Sequence, residues 1–276
     1  MQTYFLTYGD QAYVNARNFS AWTAKYIAGF DNVIVAGPDD LDEDFKKKNA
    51  SILSYKRGAG LWLWKPYIVL KTLDVMEEGD VLFYSDAGAC FVRSVKRIIE
   101  GMSQDIWCCD IPTIEEQFTK SICFEALCCD SDIYKKSNQR IATFFAVRKS
   151  LSSKNFVTNW LTECEKEFLI SPEQGKGAGT VLLSHREDQS IFSLLTKKMG
   201  YKSHKIPTTS YYYPELERWH GCDIQPMRHD EDAYNICIYL HKQRAIGLGK
   251  YILHFLYIRL PKFIMDFIAR KRGIVC

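Results

Sequence analysis

A single acidic residue at the end of an apolar segment is the first candidate for chemistry in this chain. Residues 81–88 read Val-Leu-Phe-Tyr-Ser-Asp-Ala-Gly, so an apolar run ends near Asp86, and two small residues follow. A buried strand with this pattern places its last carboxylate at the carboxyl edge of a sheet, where open α/β sheets bind ligands. Asp86 therefore either holds a divalent cation against substrate phosphates or caps a following helix. Ala87 and Gly88 leave room for another group to approach the backbone.

A second cluster of reactive side chains lies about a hundred residues further on. Residues 185–190 read His-Arg-Glu-Asp-Gln-Ser, directly before an apolar helical pattern and shortly after a glycine-rich loop at 175–179. Acids in the first turn of a helix are stabilised by the helix dipole, which explains one acid. The density of ionisable and amide groups beside a glycine-rich loop favours a functional site over capping alone.

Aromatic residues accompany a lysine between these two clusters. Trp62 and Trp64 flank one leucine, and Lys65 follows. In an extended segment the two indoles share a face, and they either fill the core or line a sugar or nucleotide pocket. A lysine beside such a pocket can meet a phosphate. Glycines at 58 and 60 lack the third glycine of the dinucleotide fingerprint.

The order of apolar segments predicts an α/β fold. Short strand-like runs alternate with helical patterns, at 4–8, 32–36, 81–85 and 105–109 for the strands. This alternation predicts a Rossmann-like, mostly parallel central sheet with helices on both faces. Further along, we expect a helix over 114–127, a strand over 141–147, and helices over 152–168 and 187–199.

Composition narrows the class of protein. The chain has 276 residues, 47% of them hydrophobic, and a net charge of +3. These values predict an ordered core and argue against nucleic acid as a partner. The ten cysteines accompany no secretory signal pattern, so we expect mostly reduced thiols and a cytoplasmic protein.

Three segments together resemble a known family. Residues 60–67 (Gly-Leu-Trp-Leu-Trp-Lys-Pro-Tyr), 79–88 (Gly-Asp-Val-Leu-Phe-Tyr-Ser-Asp-Ala-Gly) and 185–195 (His-Arg-Glu-Asp-Gln-Ser-Ile-Phe-Ser-Leu-Leu) resemble bacterial polysaccharide glycosyltransferases of the capsule and O-antigen type. These enzymes belong to the GT-A superfamily of nucleotide-diphospho-sugar transferases. The resemblance spans about residues 1–200. It implies a nucleotide-sugar donor, such as a UDP-sugar, and a saccharide acceptor that is free or linked to a lipid.

The resemblance also implies a division of the chain and a donor site. Residues 1–245 would form the catalytic domain, with a nucleotide-sugar-binding half at 1–105 and an acceptor half at 106–245. Thr7 and Tyr8 would hold the base and the ribose of the donor. Lys65 would approach its diphosphate.

A metal site follows from the same resemblance. Ser85 and Asp86 would stand in for the Asp-x-Asp motif that binds Mn²⁺ or Mg²⁺ across the diphosphate. This chain departs from the motif, because Tyr84 and Gly88 stand where a second acid would be expected. Our choice for an additional metal ligand is His220, which lies in an aromatic segment near the C-terminal part.

The resemblance assigns the sugar-transfer step to the cluster at 185–190. Asp188 and Gln189 would face the transferred sugar or the acceptor hydroxyl, with Glu187 as the next candidate. Whether the enzyme inverts or retains the anomeric configuration stays open. Two other functions also stay open, a non-catalytic module that binds sugar nucleotides or glycans and a nucleotidyltransferase that releases pyrophosphate.

The C-terminal segment, residues 246–276, is basic and amphipathic. Apolar and cationic residues are interleaved from 250 to 276, and Pro261 divides the segment into two pieces. The pattern predicts either an interfacial anchor on an anionic membrane or a closing helix packed on the sheet. A lipid-linked acceptor favours the first, which would place the protein at the cytoplasmic face of the membrane.

Overall fold

The computed structural model describes residues 1–173, 181–210, 222–227, 229, 232 and 234–272. This part of the chain contains nine strands: β1 Thr3–Tyr8, β2 Asn32–Ala36, β3 Val81–Ser85, β4 Ala89–Phe91, β5 Ile106–Ile114, β6 Asn138–Arg140, β7 Phe144–Arg148, β8 Ser203–His204 and β9 Ile238–Leu240. Its helices are α1 Val14–Thr23, α2 Glu43–Lys48, α3 Ala50–Leu53, α4 Gly58–Leu61, α5 Trp64–Val75, α6 Lys96–Glu100, α7 Ser121–Ala126, α8 Asp132–Lys135, α9 Leu151–Cys164, α10 Glu167–Ile170, α11 Glu187–Lys198, α12 Leu248–Tyr257 and α13 Lys262–Arg272.

Seven strands form the central sheet in the order β2-β1-β3-β7-β5-β6, with β8 paired to β5. Strand β1 lies parallel to β2 and β3, while β7 lies antiparallel to both β3 and β5. Because β8 is parallel to β5, five of the seven strands point in one direction. The predicted α/β fold with a mostly parallel sheet is therefore confirmed.

Alternating side chains of the central strands divide the core into two layers. Leu82 and Tyr84 of β3 pack with helices α5, α9 and α11 on one face of the sheet. Val81 and Phe83 point to the other face and pack with the helical turn Ala24–Ala28, which follows α1, and with α6. This period of two is the normal geometry of a strand, and it places helices on both faces, as the sequence predicted.

Two local predictions were wrong. The segment with Trp62 and Trp64 is not extended: Trp62 has a left-handed backbone with φ of 60°, and Trp64 begins α5. The predicted helix over 114–127 is also interrupted, because β5 extends to Ile114 and only a short turn and α7 follow. Tertiary pairing overrides local helical pattern in this region.

The C-terminal helices pack against a small second sheet. Strand β9 lies antiparallel to β4. Helices α12 and α13 cover this pair through an apolar cluster that includes Tyr251, Ile258 and Met265. None of the described helices is both long and apolar enough to cross a bilayer.

Candidate active site

A cleft of about 460 Å³ opens at the carboxyl ends of β1 and β3. This is the edge at which open α/β sheets bind ligands. Five segments contribute to its lining: the chain at the end of β1, the turn before α5, the residues after β3, Thr143 before β7, and the chain that follows β9. The lining residues include Tyr8, Gly9, Asp10, Lys56, Gly58, Ala59, Trp62, Trp64, Asp86, Ala87, Gly88, Thr143, Lys242 and Arg244.

Four side chains form a buried ionic cluster beneath this cleft, the floor cluster of Lys65, Tyr84, Asp86 and Asp188. Lys65 Nζ lies 3.3 Å from Asp86 Oδ1 and 2.9 Å from Asp188 Oδ2. The same ammonium donates to the carbonyl of Ala142 at 3.2 Å. The Tyr84 hydroxyl donates to Asp86 Oδ1 at 2.6 Å. One lysine thus joins the two candidate carboxylates, which are a hundred residues apart in the chain.

The sheet explains why these residues converge. Tyr84 and Asp86 are two positions apart, so both side chains lie on the face of the sheet that carries α5 and α11. Lys65 is in the first turn of α5, and Asp188 is in the first turn of α11. Because both helices begin at the carboxyl edge of the sheet, their first turns meet below the end of β3.

Burial and charge pairing shift the pKa values of Asp188 and Lys65 upward, respectively. Asp188 is 3% exposed, and loss of water raises its pKa to about 7, although Lys65 opposes the shift. Burial alone would lower the pKa of Lys65, but the two nearby carboxylates outweigh it and the pKa is raised. Lys65 is therefore a stable cation, and the proton count of the cluster changes at Asp188 near neutral pH.

Glu187 and Gln189 of the predicted 185–190 cluster are held by partners elsewhere in the chain. Glu187 pairs with Arg57, whose Nε lies 2.5 Å from its carboxylate. Gln189 accepts from the backbone of Ala142 at 3.2 Å and donates to Gln139 at 2.9 Å. His185 is fully buried, and burial lowers its pKa to about 3, so it is neutral. Of residues 185–190, only Asp188 belongs to the floor cluster, and like Lys65 it lies beneath the cleft without lining it.

A left-handed turn forms the aromatic wall. All five residues from 58 to 62 have positive φ, between 49° and 97°, so α4 is a left-handed turn and not a regular α-helix. Non-glycine residues adopt this conformation at a cost of roughly 1–2 kcal/mol each. At position 58 a Cβ atom would come within 2.3 Å of the Trp62 ring, so glycine is required there. The turn positions Trp64, which stacks on Tyr8 with ring centroids 3.8 Å apart.

The chain after β9 closes the opposite wall. The carbonyl of Gly88 accepts from the backbone N–H groups of His241 and Lys242, at 3.0 and 2.9 Å. A Cβ atom on Gly88 would lie 3.2 Å from the Cα of Lys242. The small residues Ala87 and Gly88 leave room for another group to approach the backbone. The segment that contains His241 and Lys242 occupies this room.

Asp86 does not cap a helix. Its backbone N–H donates to Thr143, its carbonyl accepts from Ala89 in a tight turn, and strand β4 follows. The capping alternative was therefore wrong. The Asp86 side chain is 27% exposed, so it is the member of the floor cluster that faces the cleft.

The predicted donor-binding residues divide into two groups. Tyr8 and Asp86 line the cleft. Thr7 and Ser85 are buried, and Lys65 lies under Asp86 and lines no part of the cleft. The role that the sequence assigned to Lys65, direct contact with a diphosphate, stays a prediction that its position does not favour.

Among the described residues, the ligand set for a divalent cation is incomplete. Asp86 offers one carboxylate, and its Oδ1 already accepts from Tyr84. Gly88 offers no side chain where the second acid of an Asp-x-Asp motif would stand. No group of three or more His, Cys, Asp and Glu side chains suited to a metal occurs in this part of the chain. His220, the additional predicted ligand, lies outside the described residues, as do the loop at 175–179 and the tyrosines at 211–213. These donors do not fit the predicted Mn²⁺ or Mg²⁺ site, which stays a prediction.

Sequence reasoning missed three cations of the cleft: Lys56, Lys242 and Arg244. We call them the cationic rim, and all three are exposed. No local pattern identifies the last two, because the pairing of β9 with β4 brings them to the site. Tyr84 was also missed as a partner of Asp86, although its spacing of two residues was a usable signal.

Comparisons with known proteins identify the fold. No family model and no curated protein matches the sequence. The structure is similar to a crystal structure of the galactosyltransferase LgtC in complex with donor and acceptor sugar analogs. The TM-score is 0.50 at 12% identity, covering 94% of this chain and 98% of LgtC.

Two further glycosyltransferase structures align less closely. GlyE of Streptococcus pneumoniae TIGR4 has a TM-score of 0.48 at 13% identity, covering 99% of this chain and 64% of GlyE. Mouse xyloside xylosyltransferase 1 has a TM-score of 0.47 at 9% identity, covering 86% and 97%. Because the chain is similar to LgtC over nearly its whole length, it has a GT-A glycosyltransferase fold, as its sequence predicted.

Proposed function

We propose that this protein is a glycosyltransferase that moves a sugar from a nucleotide-diphosphate donor to a saccharide acceptor. The observation that carries the proposal is the cleft at the ends of β1 and β3. It combines an aromatic wall, an acid held by a buried lysine, and a cationic rim. The fold of the chain is that of LgtC, whose crystal structure contains donor and acceptor sugar analogs. A UDP-hexose is our choice of donor, and surface polysaccharide synthesis is our choice of process.

The two walls of the cleft suit the two ends of such a donor. The stacked rings of Tyr8 and Trp64 offer an apolar surface to a nucleotide base and ribose. Asp86 can accept hydrogen bonds from sugar hydroxyls. The cationic rim offers charge to phosphate oxygens.

The reaction needs stabilisation of the leaving group. The bond between the anomeric carbon and the β-phosphate oxygen breaks, and its electron pair goes to that oxygen. The anomeric carbon bonds to the acceptor oxygen, whose proton goes to a base. Positive groups aimed at the departing diphosphate lower the barrier, because negative charge develops there in the transition state.

Asp188 remains our candidate for the catalytic carboxylate. Burial raises its pKa to about 7, which suits a group that exchanges a proton at neutral pH. Lys65 is a positioning residue in this proposal, because its ammonium holds Asp86 and Asp188 at fixed separations. Glu187 is the weaker candidate, because Arg57 occupies its carboxylate.

The C-terminal helices supply a surface for a lipid-linked acceptor. One face of α12 and α13 packs on the protein, while Leu253, Leu256, Phe263 and Phe267 are each more than half exposed. Lysines and arginines alternate with them in the sequence. An apolar face flanked by cations binds anionic membranes.

Release of nucleoside diphosphate tests the central proposal. We expect the protein, with a saccharide acceptor, to release nucleoside diphosphate from one nucleotide sugar of a panel and to yield a longer saccharide. The Asp188→Asn variant should lose transfer by at least a hundredfold, and the matched Asp74→Asn variant on α5 should retain it. Release of pyrophosphate would indicate a nucleotidyltransferase, and binding without release would indicate a binding module. NMR assignment of the product anomer decides between inversion and retention.

Vesicle binding tests the membrane surface separately. We expect the full chain to co-sediment with phosphatidylglycerol vesicles and not with phosphatidylcholine vesicles. Serine at Leu253, Phe263 and Phe267 should abolish sedimentation. Serine at Val75 and Ile133, which are equally exposed elsewhere, should not change it. Equal sedimentation of both variants would refute the assignment of this surface.

A further inference from the structure

We infer that the chain after β9 supplies, through Lys242 and Arg244, the positive charge that binds and stabilises the donor diphosphate, so that diphosphate recognition needs no divalent cation. The inference rests on the proposed function, and it assigns the leaving-group role to residues that the sequence motifs do not contain. The cleft does not present the set of metal ligands that the predicted Mn²⁺ or Mg²⁺ site requires among the described residues.

The position of the missing second acid is the first observation. Gly88 stands where an Asp-x-Asp motif would end, and its carbonyl accepts from the N–H groups of His241 and Lys242. Any side chain at position 88 would press on the Lys242 backbone, since even a Cβ atom would lie 3.2 Å from its Cα. The space that a second metal ligand would use is therefore filled by the segment that carries Lys242.

Backbone geometry fixes this segment in the cleft wall. Lys242 has a left-handed backbone with φ of 53°, directly after the buried His241. The ladder between β9 and β4 ends two residues earlier, where Leu240 pairs with Ala89. A non-glycine residue holds this conformation only where surrounding contacts determine it, and here the two hydrogen bonds to Gly88 do so. Lys242 and Arg244 both line the cleft.

The charged residues that line the cleft also favour a diphosphate ligand. Its lining contains three cations, Lys56, Lys242 and Arg244, and two carboxylates, Asp10 and Asp86. Asp86 is already hydrogen-bonded to Tyr84 and lies 3.3 Å from Lys65. It is therefore suited to accept from sugar hydroxyls, while the positive charges of Lys242 and Arg244, which line the same cleft, suit phosphate oxygens. Arginine and lysine bind phosphate through charge-assisted hydrogen bonds.

Lys242 and Arg244 stabilise the leaving group when the bond between the anomeric carbon and the β-phosphate oxygen breaks. When the anomeric carbon–oxygen bond breaks, the β-phosphate oxygen gains the electron pair and one unit of negative charge. The positive charges of Lys242 and Arg244 compensate that negative charge, and the acceptor proton leaves through the base. No electron transfer or further reactant is involved.

Binding of nucleoside diphosphates under chelation tests the inference without relying on turnover. UDP, GDP, ADP and dTDP, each with its monophosphate, would be titrated against the full chain in EDTA by calorimetry. We expect one diphosphate to bind at least about tenfold more tightly than its monophosphate, since one charge-assisted contact is worth roughly that factor. In the Lys242→Ala/Arg244→Ala variant this preference should disappear, while monophosphate affinity changes less than about twofold. Lys47→Ala, an exposed lysine on α2, is the matched control.

Other outcomes separate this inference from the proposed function. Diphosphate binding that appears only with added Mn²⁺ or Mg²⁺, or that is unchanged in the double variant, overturns the inference and leaves the transferase proposal standing. If no diphosphate binds with or without metal, both the inference and the proposed transferase function are refuted. Circular dichroism of the double variant confirms that it is folded before either conclusion is drawn.

Discussion

The floor cluster lies beneath the cleft and the cationic rim lines it, and the two are built in opposite ways. Lys65 and Asp188 are nearly inaccessible, and the Lys65 ammonium contacts two carboxylates and the carbonyl of Ala142. The rim residues Lys56, Lys242 and Arg244 are exposed and face the cleft. Buried ion pairs depend strongly on each partner, whereas exposed charges contribute little to stability. The contrast indicates that the contacts of Lys65 and Tyr84 maintain the geometry of the floor cluster, in which Asp188 is the proposed catalytic carboxylate, and that the rim provides affinity for a ligand.

The largest expected effect is on folding, from removal of the lysine at the centre of the floor cluster. Lys65→Met leaves Asp86 and Asp188 without their shared cation, and loss of one partner of a buried pair costs about 3–5 kcal/mol. Urea denaturation measures the free energy of unfolding. Lys46→Met, which breaks the exposed pair with Glu43, should change it by less than about 0.5 kcal/mol. Equal losses in the two variants would contradict the contrast.

The second effect is a pH dependence of stability. The folded-state pKa of Asp188, about 7, lies above the value in the unfolded chain. A raised pKa of this kind contributes stability below the unfolded pKa, and that stability is lost as pH rises through 7. We therefore expect the free energy of unfolding of the native protein to fall relative to Asp188→Asn between pH 5 and pH 8. Urea melts at each pH measure the difference, and parallel curves would exclude the assigned pKa.

The third effect isolates one hydrogen bond of the floor cluster. Tyr84→Phe removes the hydroxyl that donates to Asp86 at 2.6 Å. A buried hydrogen bond to a charged group contributes about 1.5–3 kcal/mol. Tyr55→Phe removes a hydroxyl that donates to Glu167 in a less buried setting and should cost less. If Tyr55→Phe costs as much, burial is not the source of the difference.

A smaller effect is expected where the two regions meet. Gly88→Ala places a Cβ atom 3.2 Å from the Cα of Lys242 and should displace that segment, at a cost of about 1 kcal/mol. We also expect weaker diphosphate binding, because the rim moves with the segment. Gly247→Ala, where nothing lies within 4 Å of the added Cβ, is the control for stability and for titration.

The smallest expected effect on folding comes from the rim. Lys242→Ala/Arg244→Ala should change the free energy of unfolding by less than about 0.5 kcal/mol, because both residues are exposed. The same variant is expected to lose diphosphate preference. A large loss of stability would show that the rim serves the fold, and the contrast between the two regions would fail.

Local patterns in the sequence predicted the elements that carry the site. Strand β3 occupies the predicted residues 81–85, and α11 begins at Glu187 as expected. Both segments combine a clear period with a clear boundary, so local propensity and burial agree. The left-handed turn at 58–62 could not be predicted in this way, since its backbone is unfavourable for its non-glycine residues and exists only because the surrounding fold stabilises it.

The sequence by itself therefore determined the class of fold, the strand that ends near Asp86, and the helix that begins with Glu187 and Asp188. Those features follow from the alternation of apolar and polar residues along short segments. Only the tertiary structure decided which groups meet. Packing of α5 and α11 on one face of the sheet joins Lys65 to both carboxylates, and the pairing of β9 with β4 brings Lys242 to Gly88. Contacts between distant segments depend on burial of the whole core, which no local pattern encodes.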